Sequence, residues 1–146
     1  MQPYILMLED DEDDRHITET FFAANNFHYK VKFLTNSDDV MPFLEECLAA
    51  GYHLPRLILL DKNAPACGGM EVLKSIKSHS AFKMIPVVMI SGSSHQPEIN
   101  ECYRLGANSY IAKPFSHEHT AKKIQHFLAY WFDAVELPDA ALVSAG

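Results

Sequence analysis

The sequence has no apolar run of the roughly eighteen residues that a membrane-spanning helix needs, so no membrane association is expected. Cysteine is sparse. Cys47, Cys67 and Cys102 are widely spaced and form no C-x-x-C pair, which argues against a disulfide scaffold or a cysteine zinc site. Positive charge is also short: 12 Lys and Arg stand against 19 Asp and Glu, for a formal net charge of -7. Nucleic-acid-binding faces are usually basic, so no nucleic-acid partner is expected. The 8 histidines are scattered. His117 and His119 do not share a helix face, and no H-E-x-x-H pattern occurs. The opening Met1-Gln2-Pro3-Tyr4 lacks the charged region of a secretory signal, and the expected location is a reducing cytoplasm.

What is present is a chain of 146 residues, 48% hydrophobic and 21% charged, enough for one domain with a real core. Short continuous apolar runs at 5–8, 57–60, 87–90 and 110–112 suit strands covered on both faces of a parallel sheet. Residues 29–34 alternate instead, with Tyr29, Val31 and Phe33 against Lys30 and Lys32, as an edge strand with one wet face would.

Helical patterns fill the gaps. The first covers 15–24, with Ile17, Phe21 and Ala24 on one stripe. The second starts near Asp38, where Ser37, Asp38 or Asp39 can cap free amides, with Pro42 in its first turn. The third follows Gly69 and turns Val72, Leu73 and Ile76 inward. The fourth opens at Pro97, carries Ile99, Cys102 and Tyr103, and stops at Gly106. The fifth runs from a Ser116 cap through Ala121, Ile124, Leu128 and Trp131. Strands alternating with helices in this way predict an α/β fold, a parallel sheet wrapped on both sides.

After the first strand come the acids Glu9-Asp10-Asp11-Glu12-Asp13-Asp14. Carboxylates favour helix N-termini, and Glu12, Asp13 and Asp14 are read as a solvated helix start. Glu9 and Asp10 differ, because they end a strand where open α/β sheets bind ligands. Asp61 ends the third strand. If the first and third strands are neighbours, three carboxylates converge, a crowding relieved by a cation or by a raised pKa. Mg2+ is the natural cation, since it takes oxygen ligands and accepts phosphate oxygens. Ser91 ends the fourth strand and Lys113 the fifth, adding a hydroxyl and an ammonium to the same rim. Phosphoryl transfer uses such parts: a nucleophile, a cation on the equatorial oxygens, and donors for the rest. Asp61 is then the nucleophile, forming an aspartyl phosphate.

These segments resemble the response-regulator receiver family over about residues 4–132. Ile5-Leu-Met-Leu-Glu-Asp-Asp looks like its first strand and acidic pair. Leu59-Leu60-Asp61-Lys62-Asn63-Ala64-Pro65 looks like its phosphoacceptor segment, and Pro86-Val-Val-Met-Ile-Ser91-Gly92 like its switch strand. Gly106-Ala-Asn-Ser-Tyr110-Ile-Ala-Lys113-Pro114-Phe115 resembles its most diagnostic tract. The resemblance implies a flavodoxin-like, doubly wound five-stranded parallel sheet of order 2-1-3-4-5 with five helices. It implies phosphorylation at Asp61, with Ser91 and Lys113 on the phosphoryl group. Mg2+ would be held by Asp10, Asp61 and the Asn63 carbonyl, with Glu9 acting chiefly through water. Ser91 and Tyr110 would form the switch, and the Lys113-Pro114 bond would be cis. The implied phosphate source is a sensor histidine kinase or a phosphotransfer protein. The protein would catalyse only its own phosphorylation and dephosphorylation.

The chain departs from the family at three places. Ser91 stands where Thr is also common, Ala64 replaces a usual Met or Leu, and Gly68-Gly69 replaces an acid before the loop glycine, implying a more flexible turn. Tyr130-Trp131-Phe132 through Glu136-Leu137-Pro138 is similar to single-domain regulators associated with bacterial phytochromes.

Other functions fit less well. A haloacid-dehalogenase-like phosphatase needs an acid where Asn63 stands, and a flavin or nucleotide protein needs a Gly-rich loop where the acids stand. An unphosphorylated interaction module would not need every site position filled. Lys62 is read as a surface charge and Phe115 as core. Residues 1–133 form the expected receiver and 134–146 a tail, loose beyond Leu137. No helix-turn-helix or ATPase pattern follows. Tyr130, Phe132 and Val135 lie off the inward stripe, which suggests a homodimer through the fourth and fifth helices and the tail.

Overall fold

In the computed structural model, which describes residues 3–24, 29–113 and 117–140, the apolar runs become strands and the amphipathic stretches become helices. In chain order these are β1 (Tyr4–Leu8), α1 (Glu12–Ala24), β2 (Lys30–Leu34), α2 (Val40–Ala50), β3 (Leu57–Asp61), α3 (Gly69–Ser78), β4 (Val87–Ser91), α4 (Gln96–Arg104), β5 (Ser109–Ala112) and α5 (His117–Leu128). The sheet is parallel, in the order β2-β1-β3-β4-β5. The alternating strand β2 is an edge, with Lys30 and Lys32 exposed, as its pattern predicts. The strand period of two divides the core. Leu6, Leu8, Ile58, Leu60 and Met89 face one layer with Leu44, Leu73 and Ile76. Ile5, Met7, Leu57, Leu59 and Val88 face the other with Phe22 and Trp131.

Local details depart from the sequence expectations for identifiable reasons. Helix α1 starts at Glu12, not Arg15, because the Asp11 carboxylate accepts from the Asp14 amide at 3.0 Å and caps the first turn. Its inward face carries Thr18 and Phe22, with Ile17 half-buried; Ala24 is exposed. Ahead of α2, Asn36 caps a short 3-10 turn, Ser37–Asp39, accepting from the Asp38 amide at 2.8 Å. Asp39, one of the three expected caps, takes the N-cap position of α2 without a side-chain cap bond. Ser37, another of the three candidates, is buried and turns its Oγ to the Gly68 amide at 2.9 Å. On α4, Cys102 is fully buried and Ile99 half-buried, whereas Tyr103, one step further round the helix, is 48% exposed.

The chain end differs most. Past α5 the backbone widens into a π-helical turn, Ala129–Ala134, with Val135 donating to the Tyr130 carbonyl at 3.0 Å. This i→i+5 spacing shifts the phase of the following side chains. Phe132, expected to lack a core, meets Phe22 edge-on with centroids 5.7 Å apart and lies 4.8 Å from Tyr29. Val135 and Leu137 join the same cluster. The chain is not loose directly beyond Leu137: Asp139 pairs with Arg56 at 3.2 Å and Ala140 is buried. Tyr130 alone of the expected outward trio is exposed, at 57%. The expectations for Pro114, Phe115 and Ser116, including the cis bond, lie outside the described residues, as do the side chains of Phe21, Ala121, Ile124 and Leu128.

Candidate functional site

Strand register builds the site. Leu8 is level with Leu60, Asp61 with Ile90, and Ser91 with Ala112. Glu9, Asp10, Asp61, Ser91 and Lys113 therefore reach the carboxyl rim of four adjacent strands. Glu9, Asp10 and Asp61 each present a carboxylate oxygen within 4.8 Å of the others, the one such group found among the described residues. Glu9 and Asp61 are buried and Asp10 is exposed. The Lys113 ammonium lies 2.7 Å from Glu9 Oε1, 3.0 Å from Asp14 Oδ2 and 3.5 Å from Asp61 Oδ2. Asp61 Oδ1 accepts the Asn63 amide at 3.0 Å, fixing the carboxylate from the loop side.

Carboxylates outnumber the cation here, and the electrostatics follow. Burial pushes the Glu9 carboxyl up to about 8, and its hydrogen bond to Asp61 adds to the rise, with Lys113 pulling the other way. For Lys113, burial opposes the charge, but the bonds to Glu9 and Asp14 and the charges of Glu9 and Asp61 outweigh it, so its pKa is raised. The remaining negative charge is relieved by a proton on Glu9 or by a second cation. An all-oxygen donor set with one exposed carboxylate fits a hard divalent ion.

Several residues at the rim take different places from those expected. Asp14, read as part of a solvated helix start, reaches into the site through Lys113. Its position one turn into α1 was the available signal, since α1 leaves the strand beside the pocket. Lys62 is no free surface charge; its side chain is 16% exposed and its ammonium meets Glu98 of α4 at 3.0 Å. That bond and one to Ser93 hold the Glu98 carboxyl below its usual range, Ser93 being the larger cause. Gly68 and Gly69 do not form a slack turn. Gly68 has φ 91, which favours glycine, and a Cβ on Gly69 would lie 2.6 Å from the Asp61 carbonyl oxygen.

Ser93 was not anticipated. Its amide donates to the fully buried Ser91 Oγ at 3.1 Å, while its carbonyl accepts from the Tyr110 hydroxyl at 2.7 Å. One loop residue thus joins both members of the expected switch pair.

The response regulator receiver domain family matches residues 5–125. The chain belongs to that family. The receiver domain is 30% identical over 139 residues to the response regulator Rcp1 of Synechocystis, covering 93% of each chain. It is 29% identical to a probable methanogenesis regulatory protein, FilR2, of Methanothrix harundinacea, over 87% of this chain and 82% of that one. The crystal structure of the Mn2+-bound form of Rcp1 superimposes with a TM-score of 0.87 at 29% identity, covering 93% of this chain and 99% of that one. The phosphorylated cyanobacterial phytochrome response regulator RcpA gives the same TM-score, 0.87, at 29% identity, over 95% and 100%. The likeness to phytochrome-associated regulators read from the chain end is thus matched by solved structures.

The five-stranded order and the receiver function in two-component phosphorelay signalling stand on these matches. A histidine kinase partner follows from membership of such systems. No helix among the described residues is long and apolar enough to cross a membrane.

Proposed function

We propose that Asp61 is the phosphoryl acceptor of this receiver and that Mg2+ serves it. The convergence of Glu9, Asp10 and Asp61 with the Lys113 ammonium carries this reading. An Asp61 carboxylate oxygen attacks phosphorus, and the phosphorus–nitrogen bond to the donor histidine of a sensor kinase or phosphotransfer protein breaks. The bonding pair leaves with the imidazole, which takes up a proton. Asp10, Asp61 and the Asn63 carbonyl would hold the ion, Glu9 supporting them, and the bound ion supplies positive charge to phosphoryl oxygens. Lys113 donates to another oxygen, and the Ser91 hydroxyl donates to a third after leaving the Ser93 amide. Tyr110 then changes its contact with Ser93, passing the change to α4. Hydrolysis reverses the state: water attacks phosphorus, the Asp61–phosphorus bond breaks, and inorganic phosphate leaves. The domain acts only on its own side chain and so is a switch, not a turnover enzyme.

The test is intact mass after incubation with Mg2+ and acetyl phosphate. Wild type gains one phosphoryl group, Asp61→Asn gains none, and Asp10→Ala loses the Mg2+-dependent gain. A full-size, acid-labile adduct on Asp61→Asn overturns the assignment.

For output we infer pairing of two copies across α4, α5 and the chain end, supported by exposed Tyr103 and Tyr130. Phe132 is spent on the core, so it does not belong to that surface. Light scattering of wild type and Tyr130→Asp with beryllofluoride reads it; a monomer in both leaves a different protein as the reader of the switch.

A further inference from the structure

We propose that Asp14 is a positioning residue that holds the Lys113 ammonium on the α1 side of the pocket, in competition with a phosphoryl group on Asp61. The inference rests on Asp61 being the acceptor.

An ammonium has three donors, and here each faces a different carboxylate. The contact to Asp61 is the longest, at 3.5 Å, and the contact to Asp14 is a hydrogen bond of 3.0 Å. The three partners are unequal in freedom. The Glu9 side chain is 1% exposed and cannot withdraw into water. Asp61 loses its carboxylate charge on becoming an acyl phosphate, so its hold on Lys113 passes to a phosphoryl oxygen. The Asp14 side chain is 39% exposed, and its backbone amide is fixed by the Asp11 cap. Its carboxylate is thus set at a defined place yet able to exchange Lys113 for water.

Asp14 therefore draws the ammonium toward α1 and away from the Asp61 side, where the phosphoryl group needs it. Lys113 must be shared between the carboxylate on α1 and the oxygens on Asp61, and that sharing sets how firmly the phosphoryl group is retained.

Beryllofluoride, which mimics the phosphoryl group on an aspartate, serves as the probe at saturating Mg2+, titrated by fluorine NMR. Asp14→Asn keeps the shape and removes the charge. It should bind beryllofluoride about two- to fivefold tighter, the range expected for losing one partly exposed competing ion pair. Asp14→Glu, which restores the charge, should return the affinity to the wild-type value. Asp13→Asn is the control for general repulsion, since Asp13 is exposed on the same helix turn and carries the same charge. It should shift affinity by less than about twofold, as expected for a screened surface charge.

An equal gain in Asp13→Asn reduces the effect to net charge and overturns the proposal. Unchanged or weaker binding in Asp14→Asn overturns it too, the latter making Asp14 a helper of Lys113. Wild type that fails to bind beryllofluoride at all defeats the acceptor assignment itself, a different result from these.

Discussion

Two lysines of this domain are held in the same number of contacts and behave in opposite ways. Lys113, at the carboxyl rim, faces three carboxylates and is held charged. Lys77, on α3, donates to the carbonyls of Lys83 and Ile85 at 3.0 and 2.9 Å and to Asn108 Oδ1 at 3.1 Å. Those oxygens are neutral, so burial prevails and lowers its pKa. Two of the Lys77 partners are backbone, and Asn108 Oδ1 is itself pinned by the Val87 amide at 2.8 Å. The stem of Lys77 runs beneath Gly106, where a Cβ would lie 2.9 Å from its Cγ. Lys77 is a staple between α3 and the amino ends of β4 and β5. The Lys113 partners are charged, mounted on separate elements, and open to exchange for another anion. Equal coordination thus makes a fixed joint in one place and a movable one in the other.

Replacing each lysine by Met breaks the comparison most directly. Lys113→Met should slow phosphoryl acceptance from acetyl phosphate by on the order of a hundredfold, the loss of one aimed charge on the transferring group. Lys77→Met should leave that rate within about twofold and lower stability by about 1–3 kcal/mol, because buried acceptors lose their donor. Denaturant melts and time-resolved intact mass read both. Equal slowing by the two variants would erase the distinction.

pH gives the next largest effect. The Glu9 carboxyl in the fold is raised from 4.5 to about 8. A raised carboxyl means the folded protein binds a proton that the unfolded chain releases, so this contribution is complete below about 4.5 and is lost as pH rises through about 8. Metal-free protein should therefore melt progressively lower from pH 5 to pH 8 in buffer scans, on the order of several degrees. Glu9→Gln should flatten that slope, and Mg2+ should reduce it. A slope unchanged by Glu9→Gln places the titration elsewhere.

The smallest effect concerns the neutral contacts beside the charged ones. Ser91→Ala should accept phosphate within about fivefold of wild type, since a neutral hydrogen bond is worth about 1 kcal/mol. Its Tyr110 ring signals should shift less on adding beryllofluoride. Full wild-type shifts in Ser91→Ala would show that Tyr110 responds without it.

Much of this was legible beforehand because it depends on local pattern. Continuous apolar runs and the alternating β2 told strands and edge from periodicity alone. Acids, hydroxyl and lysine at strand ends pointed to one rim once the strands were taken as parallel neighbours. The errors were errors of phase and reach. The inward stripe on α1 lies on Thr18 and Phe22, with Ile17 at its edge and Ala24 outside it, and Phe132 turned inward because a π-helical turn resets the angle after α5. Asp14 and Lys62 looked solvated because a charge run shows nothing of which members another strand will bring a partner to.

The sequence by itself determined the strands, the helices and the chemistry at each strand end, since side-chain period and residue type are local properties. Only the tertiary structure decided which charges meet. Lys113 and Asp14 are far apart along the chain and are joined by the register of β1, β3, β4 and β5, and the proton affinity of Glu9 is a property of that meeting. Distance and burial set an electrostatic energy, and neither exists until the sheet has closed.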